Sequence, residues 1–245
     1  MSDDVTDRQK RSPDFDHEAL EQAEIAMFGA GGIGSEIGEG LARKGIGKIK
    51  AFDRDLVDRT NLNRQMFFEK DLNKPKGCRL AVNLSKHSFC GTKFEGYPLH
   101  FEDALAIGVD LSCTVAVAGI DDRQSRVRIA RHYHTKGIPL IVIAVDLVGE
   151  NGYVFIQEAG KACFGCAFFK SLRGDIKLPC RTPAVKDCLK VVAGLALYAI
   201  DSLIMDRPRG WNYRNVHLAG FGPSNALNIE RRDDCPICGR SSEGV

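Results

Sequence analysis

Residues 29–34 read Gly-Ala-Gly-Gly-Ile-Gly, directly after the apolar run Ile25-Ala26-Met27-Phe28. Glycines at 29, 31, 32 and 34 allow positive φ and close backbone approach, and the helix they open aims unpaired N–H groups and a positive dipole end at an anion. That chemistry suits a nucleotide phosphate. A second apolar run, Ile49-Lys50-Ala51-Phe52, ends on Asp53, nineteen residues past Gly34, at the distance where a carboxylate reaches ribose hydroxyls. Two knuckles, Cys163-Phe-Gly-Cys166 and Cys235-Pro-Ile-Cys238, supply four thiolates suited to a closed tetrahedral zinc site. Sixty-eight residues separate them, so the fold must bring them together and pin the C-terminal region to the body. A redox pair is the other chemistry open to either knuckle alone.

The elements that must position these residues alternate. After a helix through Arg43, strands are expected over Lys48 to Phe52, Thr92 to Tyr97, Thr114 to Ala118 and Ile138 to Val145, with helices over Lys76 to His87 and Arg123 to Lys136 between them. Strands alternating with helices predict an α/β fold: a Rossmann-like, doubly wound, mainly parallel sheet. Past Gly149 the texture changes to a strand over Tyr153 to Gln157, a cysteine- and turn-rich stretch from Gly160 to Arg181, and a long apolar helix from Val185 to Met205. Tyr213 to Leu218 and Leu227 to Glu230 are expected to form a small terminal sheet, a zinc-pinned β extension. The helix is too apolar for a surface position and belongs either in the core or at a subunit interface.

The 245 residues carry 44% hydrophobic side chains, enough for a substantial core, and 34 basic against 32 acidic residues. A net charge of +2 gives no bulk attraction to nucleic acid or to an anionic membrane, so neither is expected as a partner. The polar start Met1-Ser2-Asp3-Asp4 is unlike a signal peptide, and the run Val191 to Ile200 is too short to span a bilayer. A cytoplasmic protein is expected, with nine cysteines used for metal or catalysis rather than disulfides. No repeat or long linker interrupts the chain. It is therefore taken as one domain: an arm at 1–22, a nucleotide-binding half at 23–150 and a half at 151–245 that carries the cysteine knuckles.

The segment Asp53-Arg-Asp55-Leu-Val-Asp-Arg-Thr-Asn61-Leu-Asn-Arg64-Gln65, followed by Asn73-Lys-Pro75-Lys76-Gly77, narrows the class. With the glycine loop and the paired knuckles in the same order, the sequence resembles the ThiF/MoeB/HesA family of ubiquitin-like-protein activating enzymes from about Asp7 to the last knuckle. The resemblance implies ATP-dependent adenylation of a carboxylate, with ATP, Mg²⁺ and Zn²⁺ as cofactors. It implies that Arg64 and Lys76 contact phosphates, the Arg fork and Lys point charge being the donors such groups need. Asp53 is implied as the ribose ligand, with Asp55, Asn61 and Gln65 as further nucleotide contacts. Asp121 is implied as the magnesium ligand, a hard carboxylate at the end of a strand. Where the family has Thr-Asp-Asn this chain has Ile120-Asp121-Asp122, which leaves open which of the two acids holds the metal.

Asp7-Arg8-Gln9 resembles the family's Arg-Gln element, whose arginine reaches the ATP site of the neighbouring subunit, so a homodimer with a composite site is implied. Cys180-Arg181-Thr182 lies where the family's crossover loop carries a nucleophilic cysteine in thioester-forming and sulfur-transferring members. Cys188 is a second candidate nucleophile, whereas Cys78, Cys90 and Cys113 are expected to be core packing. The implied partner is a ubiquitin-like or sulfur-carrier protein ending in Gly-Gly, with a conjugating enzyme or sulfur donor downstream. A chain of this length is expected to be a minimal adenylating core without a separate catalytic-cysteine or rhodanese-like domain.

Other classes fit parts of the pattern. A nicotinamide-dependent dehydrogenase accounts for Gly29 to Asp53 but leaves Arg64, Lys76 and the four knuckle cysteines without a role. Adenylation of a small molecule or tRNA base, or a silent dimeric scaffold, are the remaining alternatives.

Overall fold

The computed structural model describes residues 4–146, 149–169 and 185–239. Strands β1 (Glu24–Phe28), β2 (Lys48–Phe52), β3 (Lys93–Tyr97), β4 (Val115–Ala118), β5 (Leu140–Val145), β6 (Asn151–Gln157), β7 (Tyr213–His217) and β8 (Ala226–Leu227) form one sheet in the order β3-β2-β1-β4-β5-β6-β7-β8. The five strands from β3 to β5 are parallel, and β6, β7 and β8 continue the sheet antiparallel. The small terminal sheet expected from the sequence is part of the main one: β7 pairs with β6 over Tyr213 to His217, and the extension is the far edge of the main sheet. Leu227 to Glu230 contributes only its first residue to a strand.

Side chains alternate across each buried strand and feed two cores. Ile25, Met27 and Ile49 face one side, packed by Ile37 and Leu41 of α3 (Gly32–Lys44), Leu80 and Leu84 of α4 (Lys76–Leu84), and Val192 and Ala196 of the long helix Lys186–Ile204. Ala26, Phe28 and Phe52 face the other, against Phe101 of the short helix Phe101–Ala106 and Ile129 and Tyr133 of the helix Arg123–Lys136. In chain order these three helices are α8, α5 and α6; α1 (Asp7–Lys10) and α2 (His17–Gln22) make the N-terminal arm, and α7 is Phe164–Ala167. Helices on both faces make the sheet doubly wound. Within one chain, α8 belongs to the core rather than to an exposed face: nine of its residues are buried. Its one buried carboxylate, Asp201, is met by Lys44 at the end of α3 at 2.7 Å.

The register aligns Phe28 with Phe52 of β2 and with Ala118 of β4, so the residues that follow these three strands emerge side by side. β1 leads to β2 on one side and lies beside β4 on the other. This is a topological switch point, where a crevice opens beyond the carboxyl ends of the strands.

Candidate nucleotide-binding site

Gly29 leaves β1 with φ of +102°, and a Cβ built on it would lie 2.7 Å from the carbonyl oxygen of Gly119. Its N–H donates to the Phe52 carbonyl at 2.9 Å, while the Gly119 N–H donates to the Phe28 carbonyl at 2.9 Å. Gly34 packs the first turn of α3 back onto this loop so closely that a Cβ would fall 2.1 Å from the Gly29 carbonyl oxygen. Gly31 caps α3 without a side-chain acceptor, leaving first-turn N–H groups to face the crevice.

Asp53, directly after β2, is half-buried. Its two oxygens accept from the N–H groups of Ala30 at 2.8 Å and Asp55 at 2.9 Å, and burial raises its pKa above the ordinary carboxylate value despite those bonds. The loop from Asp55 to Pro75 folds back on itself through paired bonds between Val57 and the segment Asn73-Lys74. It is fastened to α3 by Ser35, whose hydroxyl accepts from the Met66 N–H at 2.9 Å, and to α4 by Asn83, which donates to the Met66 carbonyl at 2.9 Å. At its base Asp71, wholly buried, accepts from Arg79 at 2.7 Å, Asn83 at 2.8 Å and the Phe68 N–H at 3.0 Å. Burial pushes the Asp71 pKa up, but these donors outweigh it and hold the carboxyl below its usual range.

This loop delivers Asn61, Arg64 and Gln65, and α4 delivers Lys76, to one cleft of about 300 Å³ also lined by Gly29, Gly31, Gly32, Asp53, Asp55 and Asp121. Lys76 Nζ lies 3.2 Å from Asp55. Arg64 donates to the Thr60 carbonyl at 2.7 Å, holding its guanidinium at the cleft wall. Asn61 spends its carbonyl oxygen on the Asp58 N–H at 2.9 Å, a cap that shapes the loop. Among the described residues Gln65 Oε1, buried in the wall of the cleft, has no hydrogen-bond partner. A hydroxyl or amino group of a bound ligand would relieve it.

The two acids of Ile120-Asp121-Asp122 separate cleanly. Asp122 caps α6, accepting from the Ser125 N–H at 2.6 Å. Asp121 is exposed in the cleft, and among the described residues its carboxylate has no hydrogen-bond or ion-pair partner. A free hard carboxylate beside the glycine loop has the donor chemistry for Mg²⁺.

Gly34 lies one turn into α3, behind the cleft wall rather than in it. Arg8 is also outside: its helix is tied to the opposite end of α3, where Gln9 donates to the Lys44 carbonyl at 2.7 Å. Twelve helical rises separate that end from the glycine loop, about 18 Å. Cys180 lies outside the described residues. Cys188 is wholly buried in α8, and burial raises its thiol pKa, followed by the charges of Asp146 and Asp187. That environment suits a packing residue.

The knuckle cysteines do meet. Cys163, Cys166, Cys235 and Cys238 are buried, with all four sulfurs within 4.8 Å of one another. Cys163 lies 3.4 Å from Cys235, and Cys166 lies 3.4 Å from Cys238. A tetrahedron with Zn–S of about 2.3 Å has edges of about 3.8 Å, so the set fits zinc. The Arg232 and Ile237 N–H groups donate to the sulfurs of Cys166 and Cys235, each at 3.4 Å, as expected around thiolates.

Two residues of the site had no motif in the sequence. Arg126 lines the cleft and donates to the Ile120 carbonyl, and Gln157 joins the first knuckle to α6, accepting from the Phe164 N–H at 3.0 Å and donating to the Ala130 carbonyl at 2.9 Å. The only local hint for Arg126 is its place four residues after the capping Asp122, which faces it along the helix.

A glycine-loop cleft at the switch point of a doubly wound sheet, extended by antiparallel strands and a four-cysteine pin, defines an α/β nucleotide-binding class. Residues 7–237 match the ThiF family, and the chain belongs to it. Ubiquitin-like modifier-activating enzyme 5 of Branchiostoma floridae is 27% identical over 164 residues, covering 62% of this chain and 40% of the relative. The adenylyltransferase and sulfurtransferase MOCS3 of Mus musculus is 24% identical over 234 residues, 90% of this chain and 48% of its own. The chain thus spans less than half the length of these curated relatives. In fold it superposes on E. coli MccB, crystallised with AMPCPP and MccA, with a TM-score of 0.80 at 20% identity, covering 97% of this chain and 75% of that one. Among the described residues no helix is long and apolar enough to cross a membrane.

Proposed function

We propose that the protein uses ATP to adenylate the C-terminal glycine of a ubiquitin-like or sulfur-carrier protein. The observation that carries this reading is the convergence of the glycine loop, Arg64, Lys76 and a partnerless Asp121 in one cleft. A carboxylate oxygen of the tail attacks the α-phosphorus, the bond to the bridging oxygen breaks, and pyrophosphate leaves with the electron pair. Arg64 and Lys76 bind and neutralise the phosphates, the α3 N-terminus supplies N–H donors, and Asp53 and Gln65 orient the nucleoside. Asp121 would hold Mg²⁺, which would supply further neutralisation of phosphate charge. The family names of the relatives, one an activating enzyme and one an adenylyltransferase and sulfurtransferase, support the same reaction class.

Cys180 is the proposed nucleophile for the next step: its thiolate attacks the acyl carbon, the mixed anhydride breaks, and AMP leaves. The burial of Cys188 favours Cys180 over it. Arg8, whose helix is tied to the end of α3 opposite its own cleft, fits a homodimer in which each arm serves the neighbouring site. The proposed setting is the cytoplasm, with a conjugating enzyme or sulfur donor acting afterwards.

The test is ATP–pyrophosphate exchange with Mg²⁺ and a carrier ending in Gly-Gly, beside Arg64→Ala and Cys180→Ala. Exchange is expected to vanish in Arg64→Ala and persist in Cys180→Ala, which fails only to form a thiol-sensitive covalent complex. No exchange with any Gly-Gly tail, in protein that binds ATP, would refute the carrier assignment. Exchange driven instead by a short peptide or small carboxylate would redirect it to that substrate.

A further inference from the structure

Arg126, on the first full turn of α6, makes an unusual choice of partner. Its Nε donates to the carbonyl oxygen of Ile120 at 2.8 Å, and Nη2 donates to the same oxygen. Nη1 reaches the hydroxyl of Tyr153 on β6 at 3.4 Å. No carboxylate pairs with this guanidinium among the described residues. A cation in the wall of the cleft is therefore committed to one backbone carbonyl and one phenol.

The carbonyl in question belongs to the peptide that enters Asp121. The turn from β4 to α6 is short: Gly119 is still bonded to β1, and Asp122 already caps α6. Between these anchors the Asp121 side chain has no partner among the described residues, so its direction depends on the peptide planes on either side. A planar fork with two N–H groups on one oxygen resists rotation of that peptide in a way a lysine cannot. A swing of roughly 15° at the Cα moves a carboxylate oxygen by about 1 Å, and misplacement on that scale costs on the order of 100-fold when it falls on catalytic geometry.

We infer that Arg126 is a positioning residue that aims Asp121 at the metal–nucleotide, and that Tyr153 ties this aim to the antiparallel half of the sheet. Tyr153 stacks with Tyr213 of β7, centroids 5.8 Å apart, and lies 5.0 Å from Phe168, so its hydroxyl is delivered by an aromatic row reaching beyond the nucleotide half. The connection gives the two halves a direct polar link at the metal-binding turn. The inference rests on the proposal that the cleft takes magnesium–ATP.

The experiment is equilibrium binding of a fluorescent ATP analogue, titrated with Mg²⁺ and repeated in EDTA, for wild type, Arg126→Lys and Tyr153→Phe, with zinc content and melting temperature measured on each. In Arg126→Lys the Mg²⁺ concentration for half-maximal enhancement of binding rises about tenfold or more, while affinity in EDTA stays within about twofold and zinc content is unchanged. Tyr153→Phe shifts the Mg²⁺ midpoint the same way by a smaller factor. Equal losses with and without Mg²⁺ would make Arg126 a phosphate contact or a folding residue and overturn the inference. So would an unchanged midpoint in Arg126→Lys or, should that variant fail to fold, in Tyr153→Phe. ATP binding by the wild type with no response to Mg²⁺ also overturns it, whereas no ATP binding at all would overturn the reading of the cleft as well.

Discussion

Replacing Asp71 with Asn tests whether a buried ion pair outside the cleft holds the loop that carries Arg64 in place. Each carboxylate oxygen of Asp71 has its own donors: Arg79 on Oδ1 at 2.7 Å, Asn83 and the Phe68 N–H on Oδ2 at 2.8 and 3.0 Å. Asn keeps the shape but turns one acceptor into a donor and removes the charge, leaving at least one of these groups facing an N–H. Breaking a buried pair by removing one partner costs about 3–5 kcal/mol. For a chain of this size each kcal/mol is worth roughly 2–4 °C, so Asp71→Asn should melt about 6–20 °C below wild type at neutral pH. Because the folded pKa of Asp71 is depressed, its contribution is fully present above the unfolded value of about 3.9 and is lost as pH falls through the folded value. The gap between the two proteins should therefore be widest near neutrality and close below about pH 4. ATP affinity should fall too, since Arg64 and Gln65 ride on the same loop. Denaturant unfolding across pH 3–7, with and without nucleotide, supplies the measurement. A gap under about 1 kcal/mol at neutral pH, or one unchanged on acidification, would refute the reasoning.

Purified protein should contain one zinc per chain by elemental analysis, and Cys163→Ser or a strong chelator should lower the melting temperature; full stability without metal would refute the structural zinc. Gly34→Ala places a Cβ 2.1 Å from the Gly29 carbonyl oxygen, where only backbone movement makes room, so it should destabilise by about 1–3 kcal/mol and weaken ATP binding. Calorimetric titration checks the latter, and unaltered binding would mean that the loop tolerates the shift. Cys188→Ala should retain carrier thioester formation, because this thiol is buried with a raised pKa. Loss of the thioester in a folded Cys188→Ala protein, seen on a non-reducing gel, would reverse the assignment.

Much of the nucleotide cleft was legible because its parts are local. A strand that runs into Gly-x-Gly-Gly-x-Gly, and another that ends on Asp53, need no knowledge of long-range pairing. What escaped was non-local or short. The place of the terminal strands in the main sheet was not legible because a strand's sequence does not name its neighbour; β7 lies along β6 only after α8 has returned the chain across the sheet. The helix Phe101–Ala106 is six residues long, too few for a 3.6-residue period to stand out. Asp121 and Asp122 look alike as letters, and it is the bond from Ser125 that divides their labour. The spacing Asp-x-x-Ser ahead of a helix was the available clue. Arg126, Tyr153 and Gln157 carried no signal of their own, since an arginine on a helix or a tyrosine on a strand is ordinary until its partner is known.

The four-cysteine cluster and the cleft share a mechanical connection that their separation in sequence conceals. The first knuckle follows β6 and is bonded through Gln157 to the Ala130 carbonyl in the middle of α6. The second knuckle meets the same helix at Arg131, which donates to the Pro236 carbonyl at 3.3 Å. The N-terminal turn of α6 carries the Asp122 cap and Arg126, and thus the turn that presents Asp121. A rigid helix held at its middle by the buried four-cysteine cluster, and at its start by its own cap, leaves the Asp121 turn little freedom to drift. A closed four-thiolate site has no open coordination position for chemistry, yet its distance from the cleft does not make it irrelevant there. Its contribution is to hold α6 against β6, where the nucleotide half and the antiparallel half of the sheet meet.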